Sequence, residues 1–199
     1  MNKMLLGTLA FMPLLASAAT PSFDCANATG AVETLICKDA ALAALDNELA
    51  ALYPKAIAEL SPEQLKSERA MQRGWIKGRN DCWKAQDLRQ CVADNYRLRI
   101  AELQIKGGQL MVPTPINYQC GHKVSLSIYF YNEAKLPAAV INLSEGANLQ
   151  QVFAYAVPSA SDARYEGQNL TFFTEGNEAT LERYDQPTLT CRENQSQRH

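Results

Sequence analysis

A chain of 199 residues, 47% hydrophobic and 20% charged, has room for one or two domains and lacks the polarity of a disordered protein. A net charge of −2 gives no footing for a nucleic-acid partner and suits a basic protein better. With two histidines, His122 and the terminal His199, and no CxxC spacing, zinc ligation is excluded and no metal or cofactor is expected.

Residues 1–19 stand apart from the rest. Lys3 supplies a positive start, Met4 to Leu15 an apolar stretch, and Ala16-Ser17-Ala18 the small residues that a signal peptidase accepts, so a cleaved leader ending near Ala18 or Ala19 is expected. The apolar run is shorter than the roughly 20 residues needed to cross a bilayer, which argues against stable membrane insertion. A lipid-anchored product needs a cysteine directly after the cleavage site, and the first one, Cys25, follows Ser22-Phe23-Asp24. The expected product is periplasmic or secreted, not a lipoprotein, and loss of Lys3 takes its net charge to −3.

All six cysteines lie beyond the leader, and an even number in an exported chain implies disulfides. Many pairings are allowed. Neighbourhood favours Cys25 with Cys37, Cys82 with Cys91, and Cys120 with Cys191.

From Asp39 to about Leu60, Leu42, Leu45, Leu49, Leu52, Ile57 and Leu60 recur every three or four positions, the period of an amphipathic helix. Pro54 inside the pattern predicts a kink or two shorter helices. Ser61-Pro62-Glu63-Gln64 is a capping box with proline at the first helical position. The helix it opens is expected to turn Leu65, Met71, Trp75, Ile76 and Trp83 inward, with Arg79 between the tryptophans as a structural ion-pair or capping residue. A third helix is expected from about Asp87 to Ile105, with Leu88, Val92, Tyr96, Ile100 and Leu103 inward. Three helices with two staples make a small all-α domain over residues 20–106.

Lys106-Gly107-Gly108 ends the helical pattern, and Val112-Pro113-Thr114-Pro115 closes an expected linker over residues 107–115. The period then becomes 2. Val124, Leu126, Ile128 and Phe130 alternate with polar or smaller residues, Ala139 to Leu143 and Val152 to Val157 read as further strands, and Thr188 to Cys191 as the last. Asn169 to Thr174 and Glu178 to Tyr184 form a hairpin around Glu175-Gly176-Asn177. Seven or eight short strands in residues 116–199 predict a small closed antiparallel barrel or a sandwich, an α+β two-domain chain in all. Before the hairpin, Ser159 to Ala163 is a loop rich in hydroxyls and poor in bulk.

Two resemblances follow from these stretches. The helical half, with FDC at 23–25, ETLIC at 33–37, ALAALDNELAALY at 41–53, Trp75, Arg79, Cys82, Cys91 and Tyr96, resembles the N-terminal domain of the LprI-type lysozyme inhibitors. The second half, with YQC at 118–120, PSASDARYE at 158–166, LTFFTEGNEATLE at 170–182 and Cys191, resembles the MliC and PliC inhibitors of c-type lysozyme, which implies an eight-stranded barrel.

That resemblance also implies a mechanism. A lysozyme cuts its glycan with one protonated and one ionised carboxyl in a cleft, and a protein offering a hydroxyl and a cation there satisfies both without doing chemistry. Ser161 matches the family's serine. The lysine's place, immediately before the glycine of the second motif, holds Glu175. The implied lysozyme-binding set is Ser159, Ser161, Arg164, Tyr165 and Glu175, with Arg164 or Arg183 as replacement cation; Tyr165 and Phe173 read as packing or rim residues. GxSxG, HExxH, a phosphate-cradling glycine loop and a Cys/His nucleophile pair are all absent, so no enzyme is expected. The rival reading, kept open by Glu175, is a non-inhibitory envelope-binding or scaffold module.

Overall fold

A computed structural model describes residues 20–159 and 163–194. Helices occupy the first half of the described chain: α1 Ala31–Lys38, α2 Ala40–Ala56, α3 Pro62–Asn80 and α4 Leu88–Lys106. Eight strands follow: β1 Ile116–Cys120, β2 Val124–Tyr131, β3 Ala138–Glu145, β4 Asn148–Val157, β5 Ala163–Gly167, β6 Leu170–Glu175, β7 Glu178–Arg183 and β8 Leu189–Glu193. Each strand pairs antiparallel with the next, and β1 with β8, so the sheet closes into a barrel with no edges left to aggregate.

The helix starts follow local chemistry. Asp39 caps α2 by accepting from the Ala41 and Leu42 amides, Asp87 caps α4 through the Gln90 amide, and Ser61 with Gln64 closes both bonds of the expected capping box on α3. Two expectations need correction. A separate short helix, α1, precedes α2, tied by Cys25–Cys37 to the one-turn helix Cys25–Asn27. Helix α2 stays whole through Pro54 but stops at Ala56, short of Leu60; proline has no N–H to give the carbonyl four residues before it, which weakens the last turn.

The α3 core face also differs from the periodic reading. Met71, Ile76 and Trp83 are exposed, and the buried α3 side chains are Glu68 and Arg79. Trp83 lies beyond α3, in the short 3-10 turn Asp81–Lys84 held by Cys82–Cys91. Each buried charge has partners. Arg79 donates Nη1 to the Tyr96 hydroxyl at 2.7 Å and lies over the Trp75 ring, while Tyr96 donates to Asp46 at 2.8 Å. Ser22 adds its amide and hydroxyl to the second Asp46 oxygen, each at 2.6 Å. Burial pushes the Tyr96 phenol well above its ordinary range, so it remains a donor. Arg99, 2% exposed, reaches Gln72, Glu102 and Glu68 and completes a second network.

Barrel alternation is regular. Leu126, Ile128, Ala139, Ile141, Val152, Ala154, Phe172 and Leu181 fill the interior, with Tyr118 edge-on to Phe172. Cys120 and Cys191 are register partners on the first and last strands, and their disulfide locks the closing seam.

Helices and barrel meet on the outer face of β2, β3 and β4. Ala101 packs with Tyr131, Ala134 and Val140, flanked by Ile105, Leu110, Phe153 and Tyr155. Lys135, in the β2–β3 connection, donates its amide to Gln104 at 2.8 Å and its ammonium to Glu48 at 2.6 Å. Lys106 sits over the Phe153 ring at 5.0 Å. Within the helical half, Gly107 just past α4 permits close approach to α2, since a Cβ there would lie 2.7 Å from Ala56.

Candidate functional site

Strand order puts alternate connections at opposite ends of the barrel. One end, the lip, gathers the β2–β3 connection, the end of β4 with the exposed Pro158 and Ser159, the start of β5, and the two-residue Gly176-Asn177 turn between β6 and β7. Ala163 pairs with Thr174, so β5 begins beside the β6–β7 turn. Gly176 takes a φ of +56° there, which glycine adopts without strain. Ser159 is exposed at the lip; Ser161 lies outside the described residues.

Arg164 and Tyr165 point to opposite sides of β5, as strand geometry demands. Tyr165 is buried inside the barrel, its ring 5.3 Å from that of Phe130, and burial raises its phenol pKa. Its side chain therefore shapes the lip from within and presents no contact surface of its own. Arg164 lies on the outer face over the Phe173 ring at 5.1 Å and is ion-paired with Glu166. Its Nε–H is buried with no acceptor among the described residues.

Glu175 is exposed and is the register partner of Glu178 across the turn. Like charges placed directly opposite destabilise a hairpin, and here Glu178 has a counter-charge while Glu175 has none among the described residues. The counter-charge is Arg192 on β8, whose Nη2 lies 3.2 Å from the Glu178 carboxylate. Reading along the chain misses Arg192, because only barrel closure brings β8 beside β7. Arg183 is ruled out as a replacement cation at the lip. It ends β7 at the far end, five residues or about 17 Å from Glu178, and is paired with Glu145 at 2.7 Å.

The helical half lies beside this lip. Moving away from the lip, β4 presents Tyr155 and then Phe153; Tyr155 lies near Glu102 and Arg99, and Phe153 near Lys106. Helix α4 therefore runs with its N-terminal end toward the lip.

Comparison with known proteins matches both halves in the same order. The family described as "Lysozyme inhibitor LprI" matches residues 25–105, and the one described as "Membrane-bound lysozyme-inhibitor of c-type lysozyme", MliC, matches residues 118–190. Proteins called Lipoprotein LprI from Mycobacterium bovis and Mycobacterium tuberculosis are 30% identical over 175 residues, which cover 87% of this chain and 85% of theirs. The chain belongs to the LprI family.

In this LprI-family chain the two matched regions coincide with the two cores. Residues 25–105 take in all four helices up to the last residue of α4 but one, and residues 118–190 run from the middle of β1 into β8. Among the described residues no group of His, Cys, Asp and Glu side chains could hold a metal ion, and no helix is long and apolar enough to cross a membrane.

Proposed function

We propose that this LprI-family protein is an exported inhibitor of c-type lysozyme that inserts its barrel lip into the enzyme's cleft. The observation that carries the reading is the side-by-side placement of the start of β5 and the Gly176-Asn177 turn on a disulfide-closed barrel whose sequence matches the MliC family. A disulfide-closed barrel with a two-residue β6–β7 turn loses little conformational entropy on binding, which is how a small protruding surface gains affinity. The serine hydroxyl assigned to Ser161 would face the enzyme's acid, and the cation would come from Arg164 or Arg192 in place of the family's lysine. Inhibition of this kind blocks the cleft and involves no chemistry by the inhibitor.

The expected address is the periplasm or the medium, after cleavage near Ala18 or Ala19. The Mycobacterium relatives are named lipoproteins. This chain's first cysteine, Cys25, is instead bonded to Cys37, which supports a product without a lipid anchor. Mass spectrometry of the mature N-terminus tests this directly.

The deciding experiment is titration of the purified mature protein into a c-type lysozyme while cell-wall lysis is followed. Dose-dependent inhibition saturating at one inhibitor per enzyme is expected. Absence of inhibition at micromolar concentration overturns the reading and favours the non-inhibitory envelope module, whose supporting observation is the uncompensated carboxylate of Glu175 on the lip.

A further inference from the structure

The opposite end of the barrel carries a different surface. There the β3–β4, β5–β6 and β7–β8 connections surround a trough of about 410 Å³. Its walls are rich in carboxamides. Asn148 and Gln150 come from β4, Gln168 and Asn169 from the β5–β6 turn, and Gln186 from the β7–β8 connection. None of these five amide side chains has a hydrogen-bond partner among the described residues, so each offers both a donor and an acceptor to a ligand.

Three more features narrow the ligand class. Tyr184, 79% exposed, stands at the rim with its ring available for stacking. Arg183, whose side chain is 12% exposed, is already neutralised by Glu145, so the trough holds one balanced ion pair and no excess charge to attract a phosphate. Buried Leu143 and Leu170 supply an apolar floor. The Nε–H of Arg183 is buried without an acceptor among the described residues, and a ligand oxygen reaching into the trough would supply one.

We infer that this end of the barrel is a second binding site, for a glycan of N-acetylated amino sugars. Carboxamides pair with sugar hydroxyls and, two bonds at a time, with an acetamido group; the tyrosine ring takes the apolar face of the pyranose, and the floor takes the acetyl methyl. A neutral ligand rich in both donors and acceptors fits a neutral site of the same character. The site lies at the end away from the lip, so a glycan and a protein partner can be held together.

The test is calorimetric titration of the full mature protein with chitotetraose, with cellotetraose as the sugar lacking acetamido groups. Saturable binding of chitotetraose in preference to cellotetraose is expected, weakened roughly tenfold or more by Tyr184→Ala. Gln150→Ala, a change on an exposed strand position, is expected to weaken it as well and guards against a folding defect at the turn. Trp83→Ala serves as the control elsewhere on the molecule. The exposed Trp83 ring is the other aromatic platform among the described residues, but Asn80 and Asp81 beside it are already bonded to Arg79 and Lys84. No binding, equal binding of both sugars, or loss of binding in Trp83→Ala with none in Tyr184→Ala and Gln150→Ala would each overturn the assignment. Lysozyme inhibition is expected to be unchanged in Tyr184→Ala, so this inference and the proposed inhibition fail independently.

Discussion

Glu175 and Glu178 face each other as the last register pair of the β6–β7 hairpin, and only Glu178 has a cation, Arg192, beside it. Glu175→Lys converts a repulsive pair into an attractive one and presents a positive charge at the lip. The substitution is expected to lower the inhibition constant against a c-type lysozyme by roughly tenfold or more, since an interfacial charge pair is worth a few kcal/mol and about 1.4 kcal/mol is tenfold. An unchanged or higher constant in the lysis assay refutes the proposed register of lip and cleft.

Asp46 anchors the helical core by accepting from Ser22 and Tyr96 and lying near Arg79. Asp46→Ala leaves Ser22 and the Tyr96 hydroxyl without their acceptor and the buried Arg79 without its counter-charge. A loss of about 3–5 kcal/mol is expected, measured by urea unfolding followed by helical circular dichroism. Asp46→Asn, which keeps an acceptor, is expected to cost less.

Where helices and barrel meet, apolar packing outweighs the ion pair. Lys135 and Glu48 are each about one-third exposed, and Lys135→Ala is expected to cost under about 1 kcal/mol. Ala101, fully buried against Tyr131 and Val140, has no room to grow, and Ala101→Leu is expected to cost about 1–3 kcal/mol or separate the halves. A two-step melt in the second variant, against one step in the first, is the sign of separation.

Acid is expected to weaken the same region. Burial works to raise the Glu102 pKa, but hydrogen bonds from Lys106 and Arg99 overcome it and hold the carboxyl below its ordinary value of 4.5. Asp39 is also lowered, chiefly by its hydrogen bond from Arg89. Carboxyls whose folded pKa is depressed contribute fully above their unfolded pKa and lose that contribution as pH falls through the folded value. The thermal midpoint is therefore expected to fall below about pH 4.5, less steeply in Glu102→Gln.

The Cys120–Cys191 bond spans 71 residues and closes the barrel between β1 and β8. Replacing both cysteines by serine returns the loop entropy to the unfolded chain, about 4 kcal/mol for a loop of this length. Chemical denaturation followed by tyrosine fluorescence is expected to register that loss in the barrel transition.

Much of this architecture was legible in the chain. The Ser61–Gln64 capping box and the change from a period of 3.6 to one of 2 depend on neighbours in sequence, and each reappears in the structure. The α3 core face was not legible, because periodicity ranks Met71 and Ile76 above charged residues. It cannot register that Glu68 becomes buriable once Arg99 of α4 lies beside it. Likewise the spacing of Arg164 and Tyr165 says nothing about which of them faces the barrel interior until the strand register is set.

The order of residues alone determined the class of fold, its helices and strands, and the lysozyme-inhibitor families it resembles, since local propensity and short motifs are properties of contiguous stretches. Tertiary structure decided which charges meet. It carried Arg192 to Glu178, removed Arg183 to the far end beside Glu145, and set the helical half along the lip side, because closing a sheet joins strands that lie far apart along the chain.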